Sequence, residues 1–137
     1  MAAEEENMKH IEVAAAVIIR DNTVFAAQRG DGGELARKWE FPGGKLESGE
    51  CGEEAIVREI LEELGTEVRV LRPLVSVEHQ YRTFSLTLHG YLCDIIRGEL
   101  VLKEHLASKW LGKSELSSVS WAEADLPIVK AVSALLE

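Results

Sequence analysis

The sequence predicts a single layered domain of the α/β (α+β) class, and three observations predict it. Apolar or alternating runs of strand length carry many β-branched and aromatic residues, beginning with Ile11–Ile19 (IEVAAAVII). Two other stretches, Glu53–Leu64 and Leu126–Leu136, repeat their apolar residues with helical spacing. Finally, 137 residues with no internal repeat and no low-complexity linker amount to one domain, large enough to bury a core without disulfides or a structural metal. Strands and helices of this kind bury their apolar faces against one another in layers.

The elements can be justified in order. Residues 1–8, with Glu4-Glu5-Glu6, read as an acidic, disordered tail, and residues 9–137 as the domain. Ile11–Ile19 is a buried strand, Asp21-Asn22 supplies a turn, and Thr23–Gln28 returns as a second strand. Arg29-Gly30-Asp31-Gly32-Gly33 is loop, followed by a short polar stretch to Trp39. Val68–Val77 and Tyr81–Ile95 alternate and predict two strands that meet near His79-Gln80. Leu100–Leu102 and Ser108–Leu111 predict short strands around a Lys103-Glu104-His105 loop, and Leu126–Leu136 closes the chain as an amphipathic helix.

The segment from Gly43 to Gly65 is crowded with carboxylates. On a helix over Glu53–Leu64, Val57, Ile60, Leu61 and Leu64 share one side, and Arg58, Glu59, Glu62 and Glu63 the opposite one. Gly65 stops the helix, and Glu54 sits one turn before Arg58, placed to pair with the guanidinium. Like charges one turn apart destabilise a helix slightly, so the cluster is either a solvated face or a site for something positive. Two features favour the site. The Gly43-Gly44 turn lets backbone pass close to a ligand, and Glu50 brings another carboxylate to the helix entry. An oxygen-only cluster suits hard Mg²⁺ or Mn²⁺ rather than zinc.

Composition narrows the function classes. The net charge of −9 argues against a nucleic-acid polymer as partner, but leaves room for a small polyanion if a divalent cation mediates. Cys51 and Cys93 form no metal-type spacing or disulfide framework and read as reduced thiols. The four histidines are scattered, so they do not suggest a zinc site. No apolar run approaches the ~20 residues of a membrane span. Met1-Ala2-Ala3-Glu4 is acidic where a secretory signal is basic. A soluble, cytoplasmic protein, monomer or homodimer, is expected.

Gly44, five residues, Glu50, seven residues, then Arg58-Glu59-Ile60, Glu62-Glu63 and Gly65 resembles the Nudix box of Nudix hydrolases. Thr66 departs from the pattern, since the family carries an apolar residue after the closing glycine; that position serves packing. "WEFPGGK" (Trp39–Lys45), the early "AAVIIRD" strand, Lys103-Glu104 and "ADLPIV" resemble the MutT branch, which contains 8-oxo-dGTP diphosphatases and CTP pyrophosphohydrolases. The likeness spans roughly residues 8–134. It implies a Nudix-type α/β/α sandwich, a mixed sheet with the box helix on one side and the C-terminal helix on the other. It also implies a reaction, nucleoside triphosphate plus water giving monophosphate and pyrophosphate, with Mg²⁺ as cofactor and Mn²⁺ as the alternative.

Carried over residue by residue, the resemblance makes Glu59, Glu62 and Glu63 metal ligands, with the Gly43 or Gly44 carbonyl as a further one. Arg58 would orient a neighbouring glutamate, and Glu104 would ligate metal or act as general base, a role it shares as candidate with Glu59. Arg29 matches a nucleotide-contacting residue, and Glu40-Phe41-Pro42 with Gly43 would border the nucleoside pocket. Asp125 stands where bacterial MutT has Asn; ionised, it only accepts hydrogen bonds and favours an amino-bearing base such as cytosine, unless burial keeps it protonated. It is also placed to cap the last helix. The expected substrates are oxidised or cytidine nucleotides, 8-oxo-dGTP or (d)CTP, and the former implies nucleotide-pool sanitation. The alternatives are a Nudix hydrolase of another diphosphate, such as ADP-ribose or a dinucleotide, and a Nudix-like recognition module without catalysis. The retained glutamates speak against the second.

Overall fold

A computed structural model describes residues 9–137; the tail expected at residues 1–8 lies outside the described residues. The elements run β1 (Lys9–Arg20), β2 (Thr23–Gln28), β3 (Trp39–Glu40), β4 (Gly43–Lys45), α1 (Gly52–Leu64), β5 (Glu67–Gln80), β6 (Phe84–Arg97), β7 (Ala107–Leu111) and α2 (Leu126–Leu135). Short 3-10 turns at Lys113–Ser118 and Glu123–Asp125 lead into α2.

β1 organises the sheet. Its Lys9–Ile18 stretch pairs parallel with Phe84–Cys93 of β6. Its other edge is shared antiparallel by β4, at Val13–Ala15, and by β2, at Ile19 and Arg20. The seven strands take the order β3-β2-β1-β6-β5, with β4 joined to β1 and β7 to β2, so the sheet is mixed. The β1–β2 turn places Asp21 and Asn22 at φ 52° and 59°. Two successive left-handed residues are what a tight hairpin needs, and Asp and Asn tolerate them best after Gly.

Alternation along β1 separates two cores. Ala14, Ala16 and Ile18 pack with Phe25, Val68, Cys93 and the buried stripe of α1, while Ala15 and Val17 pack with Val24, Trp121, Ile128 and Val132 on the α2 side. The sheet is therefore sandwiched between the two helices, as expected.

Four expectations need correction. The buried residues of α1 are Gly52, Ala55, Ile56, Ile60 and Leu64, whereas Val57 and Leu61 are 38% and 53% exposed. The helix is rotated so that Glu59 and Glu63 lie between buried positions rather than opposite them. Leu100–Leu102 forms no strand; Gly98–Leu106 is irregular, held by Val101 N–H to the Leu64 carbonyl (2.9 Å) and Leu106 N–H to the Gln28 carbonyl (2.9 Å). Tyr81 belongs to the β5–β6 connection, and Gly43–Lys45 is a strand rather than the expected turn. Thr66, the departure after the closing glycine, is fully buried, its hydroxyl donating to the Glu99 carbonyl at 2.8 Å. Among the described residues no helix is long and apolar enough to cross a membrane.

Candidate active site

The start of α1 is built by its own sequence. The Glu54 carboxylate accepts a hydrogen bond from the Cys51 N–H at 3.0 Å, one half of a capping box. Glu54 is thus not the partner of Arg58, contrary to expectation. Gly65 ends the helix at φ 64°, its N–H reaching the Leu61 carbonyl at 3.1 Å.

Arg58 is instead gripped by Glu50, whose two oxygens accept from Nε at 2.8 Å and Nη2 at 2.9 Å. Nη1 donates to Glu59 at 2.6 Å and Glu62 at 3.3 Å, and Nη2 also reaches the Lys45 carbonyl at 3.0 Å. This use of the planar guanidinium fork explains why the position carries Arg rather than Lys. The bonds to Arg58 hold the Glu50 carboxyl down at about 2, and the Arg58 guanidinium is driven further toward its charged form. Arg58 is thus bonded to Glu50, Glu59 and Glu62 and does not line the cavity.

Glu59 sits directly behind Gly44, where a Cβ would overlap its carboxylate; a Cβ on Gly43 would overlap the Ala14 carbonyl oxygen. The two glycines let β4 lie flat against both α1 and β1. Beside Glu59, burial first, then hydrogen bonding to Glu59 and the charges of Glu59, Glu40 and Glu104, push the Glu63 carboxyl well above the ordinary carboxylate range. Glu62 is the outlier, its side chain 60% exposed at the rim and held through Arg58. Among the described residues no three carboxylate, imidazole or thiolate groups already converge as a finished metal shell. The donor chemistry still fits a hard divalent cation. Burial first, then the neighbouring carboxylates, favour a proton on Glu63, and a cation would offset the repulsion among these groups with oxygen ligands only.

The same Glu63 opens into a cavity of about 370 Å³. Glu63, Glu104, Gly43, Gly44 and Lys45 line its charged end; Ile11, Val13, Phe84, Leu86 and Leu88 of β1 and β6 form an apolar wall; Arg29, Glu40, Phe41, Tyr81, His105 and Asp125 close the rest. Phe41 is stacked on Trp121, ring centroids 4.7 Å apart, and is itself almost wholly buried. Pro42 faces the core instead of the cavity, its carbonyl accepting from Ala16 N–H at 2.7 Å. Asp125 does not cap α2; its Oδ2 accepts from the Phe41 N–H at 3.0 Å, and burial pushes its carboxyl up to about 8.

Beyond the apolar wall, two hydrogen-bonding lining residues are not marked by the sequence pattern. His105 donates from Nε2 to Glu40 at 3.0 Å, and Tyr81 accepts the Ala124 N–H on its hydroxyl at 2.8 Å. Only the adjacency of His105 to Glu104 hinted at either.

The chain is also similar to known proteins along most of its length. The NUDIX domain family matches residues 14–131. The chain is 38% identical over 128 residues to the CTP pyrophosphohydrolase of Escherichia coli K12, covering 93% of this chain and 95% of that protein. It is 31% identical over 123 residues to the 8-oxo-dGTP diphosphatase of the same organism, covering 89% and 95%. The solution structure of MutT from methicillin-resistant Staphylococcus aureus 252 superposes with a TM-score of 0.77 at 36% identity, covering 93% of this chain and 98% of that one. A carboxylate helix behind two glycines, set against an open cleft, is thus found with the matching sequence along nearly the whole chain, and the chain belongs to the Nudix hydrolase family, in its MutT-like branch.

Proposed function

We propose that the protein is a Mg²⁺-dependent nucleoside triphosphate pyrophosphohydrolase acting on oxidised or cytidine nucleotides, with 8-oxo-dGTP and (d)CTP as the leading substrates. One observation carries this reading: a single cavity joins mutually repelling carboxylates at one end to an apolar, aromatic and hydrogen-bonding wall at the other. A triphosphate fits the first end only with a cation, and a base fits the second. The relatives named for CTP and 8-oxo-dGTP support the same two candidates.

When bound, a divalent cation would neutralise phosphate charge and favour attack by water. Glu59, Glu62, Glu63 and Glu104, with the Gly43 or Gly44 carbonyl, are the residues that would hold it. Arg58 keeps Glu59 and Glu62 turned toward one region. Glu59 or Glu104 takes the proton of the attacking water. Arg29, Glu40 and Phe41 flank the nucleoside. Protonated at neutral pH, Asp125 offers a donor as well as an acceptor, so it can read an 8-oxoguanine edge as well as a cytosine amino group.

The test is a pyrophosphate-release panel with Mg²⁺ over dCTP, CTP, dGTP, 8-oxo-dGTP, ADP-ribose and diadenosine polyphosphates. The reading predicts the highest kcat/KM for 8-oxo-dGTP or a cytidine triphosphate; no release from any triphosphate would sink it. Preference for 8-oxo-dGTP would make nucleotide-pool sanitation the biological role.

Two variants probe the geometry. Gly44→Ala pushes its methyl group into the Glu59 carboxylate, and kcat is expected to fall about a hundredfold, the usual cost of misplacing a catalytic group by an ångström. Circular dichroism should show the fold retained, because the side chain it meets can move. Asp125→Asn keeps the acceptor for the Phe41 N–H and removes the titrating group. Below about pH 4 both folded and unfolded wild type hold this proton; between there and about 8 only the folded state does, so wild-type stability falls as pH rises. The melting temperature of the variant is therefore expected to gain on wild type from pH 4 to pH 8 and then level off.

A further inference from the structure

Two buried nitrogens on either side of one carboxylate have no hydrogen-bond partner: Nε of Arg29 and Nδ1 of His105. Buried unpartnered polar atoms are rare in folded proteins, and each calls for a reason. The carboxylate between them is Glu40. Its Oε1 accepts from Arg29 Nη1 at 2.9 Å, and its Oε2 accepts from His105 Nε2 at 3.0 Å. The His105 side chain is only 6% exposed. All three residues line the cavity, yet they come from the end of β2, from β3 and from the irregular segment between β6 and β7.

The fold alone does not ask for an imidazole at this position. An apolar side chain of similar size would fill the space without leaving a nitrogen unpaired. What the imidazole adds is a grip on the second oxygen of Glu40, so that the carboxylate cannot rotate away from Arg29. Among the described residues it is also the one hydrogen bond made by a side chain of the Glu99–Leu106 segment, which is otherwise held by backbone bonds at Val101 and Leu106 and by the Thr66 hydroxyl at the Glu99 carbonyl.

We propose that His105 is a positioning residue for nucleotide binding: it fixes Glu40 and, through Glu40, the Arg29 guanidinium at the nucleoside end of the cleft. The proposal rests on the nucleotide-hydrolase reading given above. Because the contact is already made without substrate, it governs binding of the nucleoside more than the chemical step.

The experiment measures dissociation constants for the product monophosphates dCMP and 8-oxo-dGMP by calorimetry in cation-free buffer, alongside kcat and KM for the preferred triphosphate. His105→Ala is expected to weaken monophosphate binding and raise KM about tenfold, the scale of one lost charge-assisted hydrogen bond, with kcat within about threefold of wild type. His105→Gln places an amide N–H at a similar reach from the backbone and is expected to restore both. In a Glu40→Ala background the His105→Ala change should add nothing further. Unchanged binding in His105→Ala, failure of glutamine to rescue, or additive effects with Glu40→Ala would overturn the positioning role while leaving the enzyme assignment intact. A wild type that binds neither monophosphate and hydrolyses no triphosphate would overturn both.

Discussion

Glu63→Gln is expected to make the protein more stable and almost inactive. The wild-type carboxyl is half-buried beside Glu59 and within reach of the charges of Glu40 and Glu104, which is why it holds its proton so far up the pH scale. At low pH the folded and unfolded states are both protonated there and the site costs nothing. As pH rises past the ordinary glutamate range, the unfolded chain ionises freely while the folded one cannot, and stability is lost. Glutamine removes that loss. In cation-free buffer at neutral pH the variant should gain about 2 kcal/mol, or about 8 °C in melting temperature, and the gain should vanish toward pH 4. With Mg²⁺, kcat should fall by about 10² to 10³, because glutamine cannot replace an anionic oxygen ligand. Paired thermal melts and turnover assays check both halves. A variant with near-wild-type activity would remove Glu63 from the metal assignment.

Arg58→Lys is expected to damage stability and activity together. The guanidinium uses all of its nitrogens on Glu50, Glu59, Glu62 and the Lys45 carbonyl. An ammonium group keeps the charge but reaches only part of this set, leaving partly buried carboxylates facing one another without a bridge. Breaking such a network should cost about 2–3 kcal/mol, lowering the melting temperature by about 8–12 °C. Activity should fall about a hundredfold as Glu59 loses the bond that aims it. Since Arg58 holds the Glu50 carboxyl down at about 2, wild type loses stability as pH falls from the ordinary glutamate range toward that value. The variant, with Glu50 less depressed, loses less, so the gap between them should narrow on acidification. Chemical denaturation at pH 4 and pH 7 measures the difference.

What the sequence could reveal follows from where the information sits. The β1–β2 hairpin was legible because Asp21-Asn22 is a local turn signal between two apolar runs, and the helix end because Gly65 is a local stop. The carboxylate cluster was legible because its spacing is a helical pattern with glycines at both ends. The phase of α1 is not legible from its amphipathic pattern, for a physical reason. Val57 and Leu61 are apolar yet face outward, while Glu59 and Glu63 occupy the inward arc that a simple amphipathic pattern reserves for apolar side chains. Local preference and global placement conflict there, as expected of a site retained for chemistry rather than stability. The Glu40–His105 bond joins residues far apart in sequence through an irregular segment, so no periodicity could announce it. Nor could sequence pattern show that Asp125 turns to the Phe41 N–H instead of capping α2.

The central claim is that the α1 carboxylates and the adjoining cleft release pyrophosphate from a nucleoside triphosphate. It is tested most directly by ³¹P NMR of 8-oxo-dGTP and dCTP incubated with the protein, with Mg²⁺ and with a chelator. The account predicts pyrophosphate and the nucleoside monophosphate as the only products, formed with Mg²⁺ and abolished by the chelator. Orthophosphate with a nucleoside diphosphate, or turnover that survives removal of the cation, would contradict it.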